Sequence, residues 1–221
     1  MSIYASVLLL LDGEVPGESL LRSIAANASF IIATDGAAQT ARKYSTSLDV
    51  IIGDMDSLDN ETHDYFSKKN TEILPNPDQY SNDFEKALRF LIDQKKTDLL
   101  VILGMHGKRT DHSLTNLSVL VRFRDSFEEL VSIDDFQKHH LLTAKHNLYK
   151  PSLPRNSHIS LTPLPIAEGV TTKGLFYPID NRRMEFGIDE GLSNIIISQD
   201  EALITISGGA LLVSTPHEAD E

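Results

Sequence analysis

The sequence predicts an α/β N-terminal domain with a mostly parallel, Rossmann-like sheet over residues 1–125. An all-β sandwich domain is expected to follow over residues 126–221. Three observations carry this reading. Apolar, β-branched runs alternate with helix-period segments through the first part of the chain, the pattern of a parallel sheet covered by helices. An acidic or glycine-rich signal follows strand after strand there, at Asp35-Gly36, Gly53-Asp54, Pro77-Asp78 and Gly104 to Gly107. Beyond residue 126 the helical period disappears, and short apolar segments alternate with Pro, Gly, Asn and Asp, as in antiparallel β structure.

The elements follow in order. A first strand is expected over residues 3–11, with Asp12-Gly13 as the turn behind it. A short helix over 19–26 leads to a second strand at 30–34, which runs directly into a helix over 35–43. The third strand, 48–52, is apolar but for Asp49 and ends at Gly53. A polar helix is expected at 60–69 and a short strand at 72–74, before Pro75 and Pro77 force a turn. Residues 83–92 have helical spacing, with Phe84, Leu88 and Leu91 on one face. A fifth strand at 98–103 and a helix at 113–123 complete the α/β pattern. In the β region, segments 129–133, 159–163, 195–198 and 202–207 read as strands. Gly208-Gly209 reads as the turn of a terminal hairpin, and the acidic end from His217 as frayed.

Bulk properties narrow the function. A length of 221 residues allows a substantial core, and 41% hydrophobic with 24% charged residues is a globular balance. No apolar run reaches membrane-span length, and the N-terminus lacks a secretory signal. The absence of cysteine excludes disulfides and thiolate metal sites and suits a cytoplasmic location. A net charge of −12 argues against nucleic acid as a partner. It also means that any phosphate ligand needs a divalent ion between it and the carboxylates. The eight histidines have no metal-ligand spacing.

Asp54 and Asp56 follow the third strand as D-x-D. An extended strand would send them to opposite faces, whereas a turn at Gly53 lets both reach one ion. Turn or helix capping is the alternative. Asn82 or Asp83 opens a helix and makes a good N-cap by the same rule. Gly104 and Gly107 permit close backbone approach to a phosphate, and Lys108 or Arg109 can neutralise it. Asp35-Gly36 begins a helix, where free N–H groups favour anions. Neither a Walker A loop nor a dinucleotide G-x-G-x-x-G is present.

Taken together, ATDGAA (33–38), DVIIGDMDSL (49–58), PDQYSNDFEKAL (77–88), LGMHGKRTDH (103–112) and GLSN (191–194) make the chain resemble the thiamine pyrophosphokinase family. The resemblance covers most of the chain, including the change of pattern near residue 126. It implies a Mg²⁺-dependent thiamine diphosphokinase, which moves a diphosphoryl group from ATP to the hydroxyl of thiamine and releases AMP. It also implies a homodimer with active sites between subunits, an α/β catalytic domain that binds nucleotide, and a β domain that binds thiamine and dimerises. By resemblance, Asp54, Asp56, Asp83 and Asp111 are catalytic, and Asp54, Asp56 and Asp83 hold the metal. Either Asp83 or Asp111 would accept the proton. Asp35, Gly36, Ser57, Gly104, Gly107, Lys108 and Arg109 would bind the nucleotide. Lys86 would meet phosphate or pair with a carboxylate.

Gln79, Asp83, Tyr177, Ser193 and Asn194 would meet thiamine. Tyr177 is assigned as the stacking aromatic because the chain has no Trp; a core aromatic is the alternative for it. Asn82 stands where the family commonly has Thr. The rival readings are a D-x-D phosphohydrolase, diphosphoryl transfer to a hydroxymethyl pterin, and a ligand-sensing dimer without turnover.

Overall fold

A computed structural model describes residues 6–217. The chain forms two compact units, one of residues 1–119 with 126–135 and one of residues 120–125 with 136–221. The expected strand residues 3–5 and the acidic end 218–221 lie outside the described residues.

The first unit is built on β1 (Ser6–Leu10), β2 (Ala28–Thr34), β3 (Val50–Gly53), β4 (Glu72–Pro75), β5 (Leu99–Leu103) and β6 (Glu129–Ile133). Their order is β4-β3-β2-β1-β5-β6, and each neighbouring pair is parallel. Between them run α1 (Glu18–Asn27), α2 (Asp35–Lys43), α3 (Asn60–Ser67) and α4 (Asp83–Asp93), with α5 (Thr110–Phe123) after β5. Strands bonded on both edges and covered on both faces need apolar residues throughout, and Leu8, Leu9 and Leu10 are all fully buried. Leu8, Leu10, Ala33, Ile51 and Leu103 share one core with Leu21, Ala37, Ala41 and Phe66 of α1, α2 and α3. Alternate strand residues turn to the other face, and α4 packs across β2 and β3. The strand order reverses direction between β1 and β5, and the crevice beyond strand ends at such a point is where open α/β sheets bind ligands.

The segment 129–133, read from sequence as β-region, is the last strand of the parallel run, paired to β5. Its apolar residues Leu130, Val131 and Ile133 pair with a strand that needs a covered edge, and no local signal separates that from an antiparallel partner.

The second unit contains β7 (Gln137–Thr143), β8 (Leu148–Tyr149), β9 (His158–Lys173), β10 (Arg182–Glu185), β11 (Gly191–Ile195), β12 (Leu203–Thr205) and β13 (Gly208–Pro216). All described pairings here are antiparallel. The 16-residue β9 is the spine and bonds to β10, β11, β12 and β13. Its inward residues Ile159, Leu161, Ala167 and Val170 enter a core with Ile196, Ile204, Leu211 and Val213.

The expected terminal hairpin does not form. Among the described pairings β12 and β13 bond to β9 in succession, not to each other. Gly209 (φ +72°) makes a kink within this path, and a Cβ there would lie 2.1 Å from the carbonyl oxygen of Ile166. The glycine pair therefore serves a strand crossing closely over β9, not a turn. The strand expected at 195–198 begins earlier, as β11, through a bulge at Ser193 (φ +55°).

Candidate active site

The loops beyond the strand ends of the first unit enclose a cleft of about 480 Å³. Asp12 and Gly13 come from the end of β1, Asp54, Asp56 and Ser57 from β3, and Asp78, Gln79 and Asp83 from the β4–α4 segment. Met105, Gly107, Lys108 and Arg109 come from the loop after β5, with His112 and Asn116 on α5.

The D-x-D turn is shaped from below by Asp35. This residue begins α2, is 2% exposed, and accepts hydrogen bonds from Gly36 N (2.8 Å) and Met55 N (3.0 Å). Met55 thereby adopts φ +70°, which bends the chain between the two aspartates. One carboxylate oxygen from each of Asp35, Asp54 and Asp56 lies within 4.8 Å of the others. The sequence assigned Asp35 to the nucleotide and Asp83 to the metal. Here Asp35 belongs to the compact trio, and Asp83 is given to Lys86 at 2.9 Å. Burial, then the charge of Asp83, pushes the Asp35 carboxyl above its usual range. The backbone N–H of Asp56, helped by the Gln79 amide, holds Asp54 below it. Gly53 makes room for this packing, since a Cβ there would sit 2.7 Å from Asp35 Cγ.

Asn82, not Asp83, caps α4 by accepting from Glu85 N at 2.9 Å, so Asp83 is free to turn toward the cleft. The loop before it is tied down by Asp78, which accepts from Tyr80 N (2.9 Å) and Ser81 Oγ (2.5 Å). Gln79 lies over Asp54, with Nε2 3.4 Å from Oδ2. Ser57 donates to Asp56 Oδ1 at 2.9 Å.

The cations are paired already. Lys108 bonds Asp12 at 2.8 Å and Arg109 bonds Asp111 at 2.5 Å, all four side chains being more than half exposed. The Arg109 guanidinium holds the Asp111 carboxyl below its usual range. Lys86 is buried against Asp83, the carboxylate-pairing alternative of the sequence reading.

Gly104 and Gly107 also have a packing role. Both have positive φ, and a Cβ on them would meet Leu11 O at 2.2 Å or Glu14 Cβ at 2.5 Å. They let the β5 loop pack against the β1 loop, with Gly13 N donating to Gly104 O at 2.9 Å. Gly36 is likewise packed, its missing Cβ leaving space for Asp12. Asp12 itself reads from sequence only as a turn. The available signal is that Asp12-Gly13 comes directly after a strand, like every other site segment. Thr34, Phe84, Met105 and Asn116 also line the cleft, and no site role is expected of them from the sequence.

In the second unit Tyr177 and Asn194 are brought together. Asn194 is 3% exposed, and its amide accepts from Tyr177 N (3.0 Å) and donates to Tyr177 O (2.7 Å). Its side chain therefore fixes the Tyr177 backbone, a role the sequence reading missed. The Tyr177 ring is exposed and packs edge-on against Phe176 at 4.9 Å. Ser193 is exposed, and its N–H donates to Ser160 Oγ at 3.0 Å.

Comparison with known proteins supplies the family. Residues 21–131 match the model "Thiamin pyrophosphokinase, catalytic domain", and residues 140–211 match "Thiamin pyrophosphokinase, vitamin B1 binding domain". Thiamine pyrophosphokinase 3 of Oryza sativa subsp. japonica is 30% identical over 184 residues, spanning 80% of this chain and 68% of the rice protein. Thiamin pyrophosphokinase 1 of Caenorhabditis elegans is 28% identical over 83% of this chain and 78% of its own length. The crystal structure of thiamine pyrophosphokinase from Bacillus subtilis superposes with a TM-score of 0.80 at 18% identity, over 96% of this chain and 100% of that one, which shows a shared fold. With family models matching both its α/β and its β portion, the chain belongs to the thiamine pyrophosphokinase family.

Proposed function

We propose that the protein transfers the diphosphoryl group of ATP to the hydroxyl of thiamine, giving thiamine diphosphate and AMP. The observation that carries this reading is the convergence, in one cleft of a family member, of an acidic trio with exposed cations held by exchangeable partners. The carboxylate trio is a hard-oxygen donor set and fits Mg²⁺. Asp54 and Asp56 would hold the ion with Asp35, and Asp83 would add its charge at the margin. Bound there, the ion would offset the charge of the triphosphate beside these carboxylates.

The chain's own groups supply the rest. Exposed ion pairs contribute little stability, so Lys108 and Arg109 can leave Asp12 and Asp111 for phosphate oxygens. Arg109 suits that role by its bidentate fork. Its departure returns Asp111 toward an ordinary carboxylate, better able to take the proton as the thiamine oxygen attacks the β-phosphorus and the bond to the α-phosphate oxygen breaks. Asp83 has a buried partner that phosphate does not compete for so directly, which favours Asp111 as base. Ser57, Gly36 and the loop 104–109 frame the nucleotide, and Gln79 faces the acceptor side.

The α/β unit, residues 1–119 with 126–135, forms the nucleotide-binding part of this scheme, and the β unit, 120–125 with 136–221, the β-sandwich that binds thiamine and dimerises, in place of a single break at 125/126. Tyr177 offers a flat face for the cationic acceptor. Ser193, exposed and next in sequence to Asn194, would offer its hydroxyl, and Asn194 acts by holding the Tyr177 backbone. The exposed apolar side chains Phe186, Ile188 and Leu192 of the β unit support a covering second copy, hence a homodimer. Among the described residues no helix is long and apolar enough to cross a membrane. The cytoplasm is the proposed location, on the cysteine count.

The test is to incubate the protein with Mg²⁺, ATP and thiamine and to identify the nucleotide product. AMP appearing only with thiamine is expected, and a hydroxymethyl pterin should not replace it. Phosphate release that ignores thiamine would overturn the reading.

A further inference from the structure

The cleft contains a hydroxyl that the scheme above does not use. Thr34 closes β2, is 3% exposed and lines the cleft. Its Oγ1 has no hydrogen-bond partner among the described residues. Thr34 also stands at the N-cap of α2, where a threonine hydroxyl ordinarily accepts from a helical N–H two or three residues on. It makes no such bond. The amide two residues on, Gly36 N, donates to Asp35 instead. A buried hydroxyl without a partner destabilises a fold, and valine would fill the same volume without that penalty.

Position decides what kind of group the hydroxyl can serve. Thr34 pairs in register with Ile52, level with the strand end that leads into Gly53 and Asp54. Alternation along β2 sends Ala33 into the core under α1, α2 and α3, and Thr34 to the opposite face. That is the face of α4, whose Phe84 and Lys86 also line the cleft. The polar neighbours there include Asp54 and Asp83, which accept hydrogen bonds and would repel a further anion unless donors accompany it. A threonine exchanges hydroxyl for methyl by one rotation about χ1, so the donor can be presented to the cleft without backbone movement.

We propose that the Thr34 hydroxyl donates a hydrogen bond to a phosphoryl oxygen of the nucleotide held in this cleft, and so sets nucleotide affinity independently of thiamine. The inference rests on the reading of the cleft as the nucleotide site. Its test uses the full chain as Thr34→Val, which keeps the shape and removes the hydroxyl, and Thr34→Ser, which keeps the hydroxyl. Calorimetry with Mg²⁺ and α,β-methylene-ATP, in which the bond to be broken is blocked, gives affinity without turnover. Steady-state assays give separate KM values for ATP and thiamine.

Thr34→Val is expected to weaken the analogue and raise the ATP KM by about five- to tenfold, the scale of one hydrogen bond. Its thiamine KM should stay unchanged and its Tm should stay level or rise. Thr34→Ser should bind as wild type. Wild-type binding by Thr34→Val, loss in Thr34→Ser equal to that in Thr34→Val, or a parallel rise in thiamine KM would each overturn the assignment. Failure of the wild type to bind the analogue or form AMP would instead remove the nucleotide site itself.

Discussion

The two units use their polar side chains in different ways. In the α/β unit, Asp54, Asp56, Lys108 and Arg109 hang on loops past the strand ends, and their partners belong to those same loops and the start of α5. The sheet beneath them is apolar and needs none of them. In the β unit, Asn194 is both a site residue and a fastening of the backbone, joining Tyr177 to β11 through two hydrogen bonds. Activity and stability should therefore separate in the first unit and move together in the second. The comparison breaks if they do not.

The largest effect is expected at the D-x-D turn. Asp54→Asn and Asp56→Asn should each lower kcat by about 10²- to 10³-fold or more, the scale of losing a charge-stabilising group in a closed site. Unfolding free energy in urea should stay within about 0.5 kcal/mol, because neither side chain holds the core. A large drop in stability would show that these loops are structural and would sink the separation. Gly53→Ala sharpens the same point from beneath. A Cβ 2.7 Å from Asp35 Cγ must displace that carboxylate and loosen the Met55 turn. A loss of activity of about tenfold or more should accompany destabilisation of about 1–3 kcal/mol, as for overpacking a filled site.

Legibility from sequence divides along the same line. Parallel strands carry their loops to one end of the sheet, so the residues just past each strand end make up most of the cleft. Asp54, Asp56, Gln79, Asp83, Lys108 and Arg109 are legible that way and do line it. Asp35 carries the same signal, but its partnership with Met55 does not show in the sequence, because it depends on a left-handed residue that no propensity announces. The packing of Gly104 and Gly107 against the β1 loop is not legible, since the crossing of two loops is invisible in either alone. In the β unit, order along the chain does not give order in space. The 16-residue β9 bonds to four other strands, and a one-residue bulge at Ser193 decides which side chains turn inward. The supposed hairpin at Gly208 and the buried role of Asn194 escape a sequence reading for that reason.

The β unit's side of the comparison is tested by Asn194→Ala. Two bonds to the Tyr177 backbone disappear, leaving an N–H and a carbonyl to find new partners. Destabilisation of about 1–3 kcal/mol is expected, together with weaker thiamine binding. Tyr177→Ala should weaken thiamine without the loss of stability, because the ring is exposed. Equal stability in both variants would mean that the Asn194 clamp contributes nothing and that the units do not differ as argued.

The smallest effects are those of pH, and the two units should show them with opposite sign. Burial, then the charge of Asp83, raises the Asp35 carboxyl above 3.8. Between 3.8 and its folded value the folded chain holds a proton that the unfolded chain has lost. Asp35 thus contributes stability at low pH, and the contribution fades as pH rises through that window. In the β unit His140, desolvated and stacked on Tyr149, is lowered from 6.5 to about 4. The unfolded chain takes up a proton there first, so stability present above 6.5 is lost as pH falls toward 4. Urea midpoints of metal-free wild type, Asp35→Asn and His140→Phe, followed from about pH 4 to about pH 8, separate the two. Relative to Asp35→Asn the wild type should lose stability as pH rises. Relative to His140→Phe it should lose stability as pH falls. Mg²⁺ should flatten only the first difference, since an ion at the trio favours the charged carboxylate. A first difference indifferent to Mg²⁺ would place Asp35 outside the ion's reach and leave Asp54 and Asp56 to hold it alone.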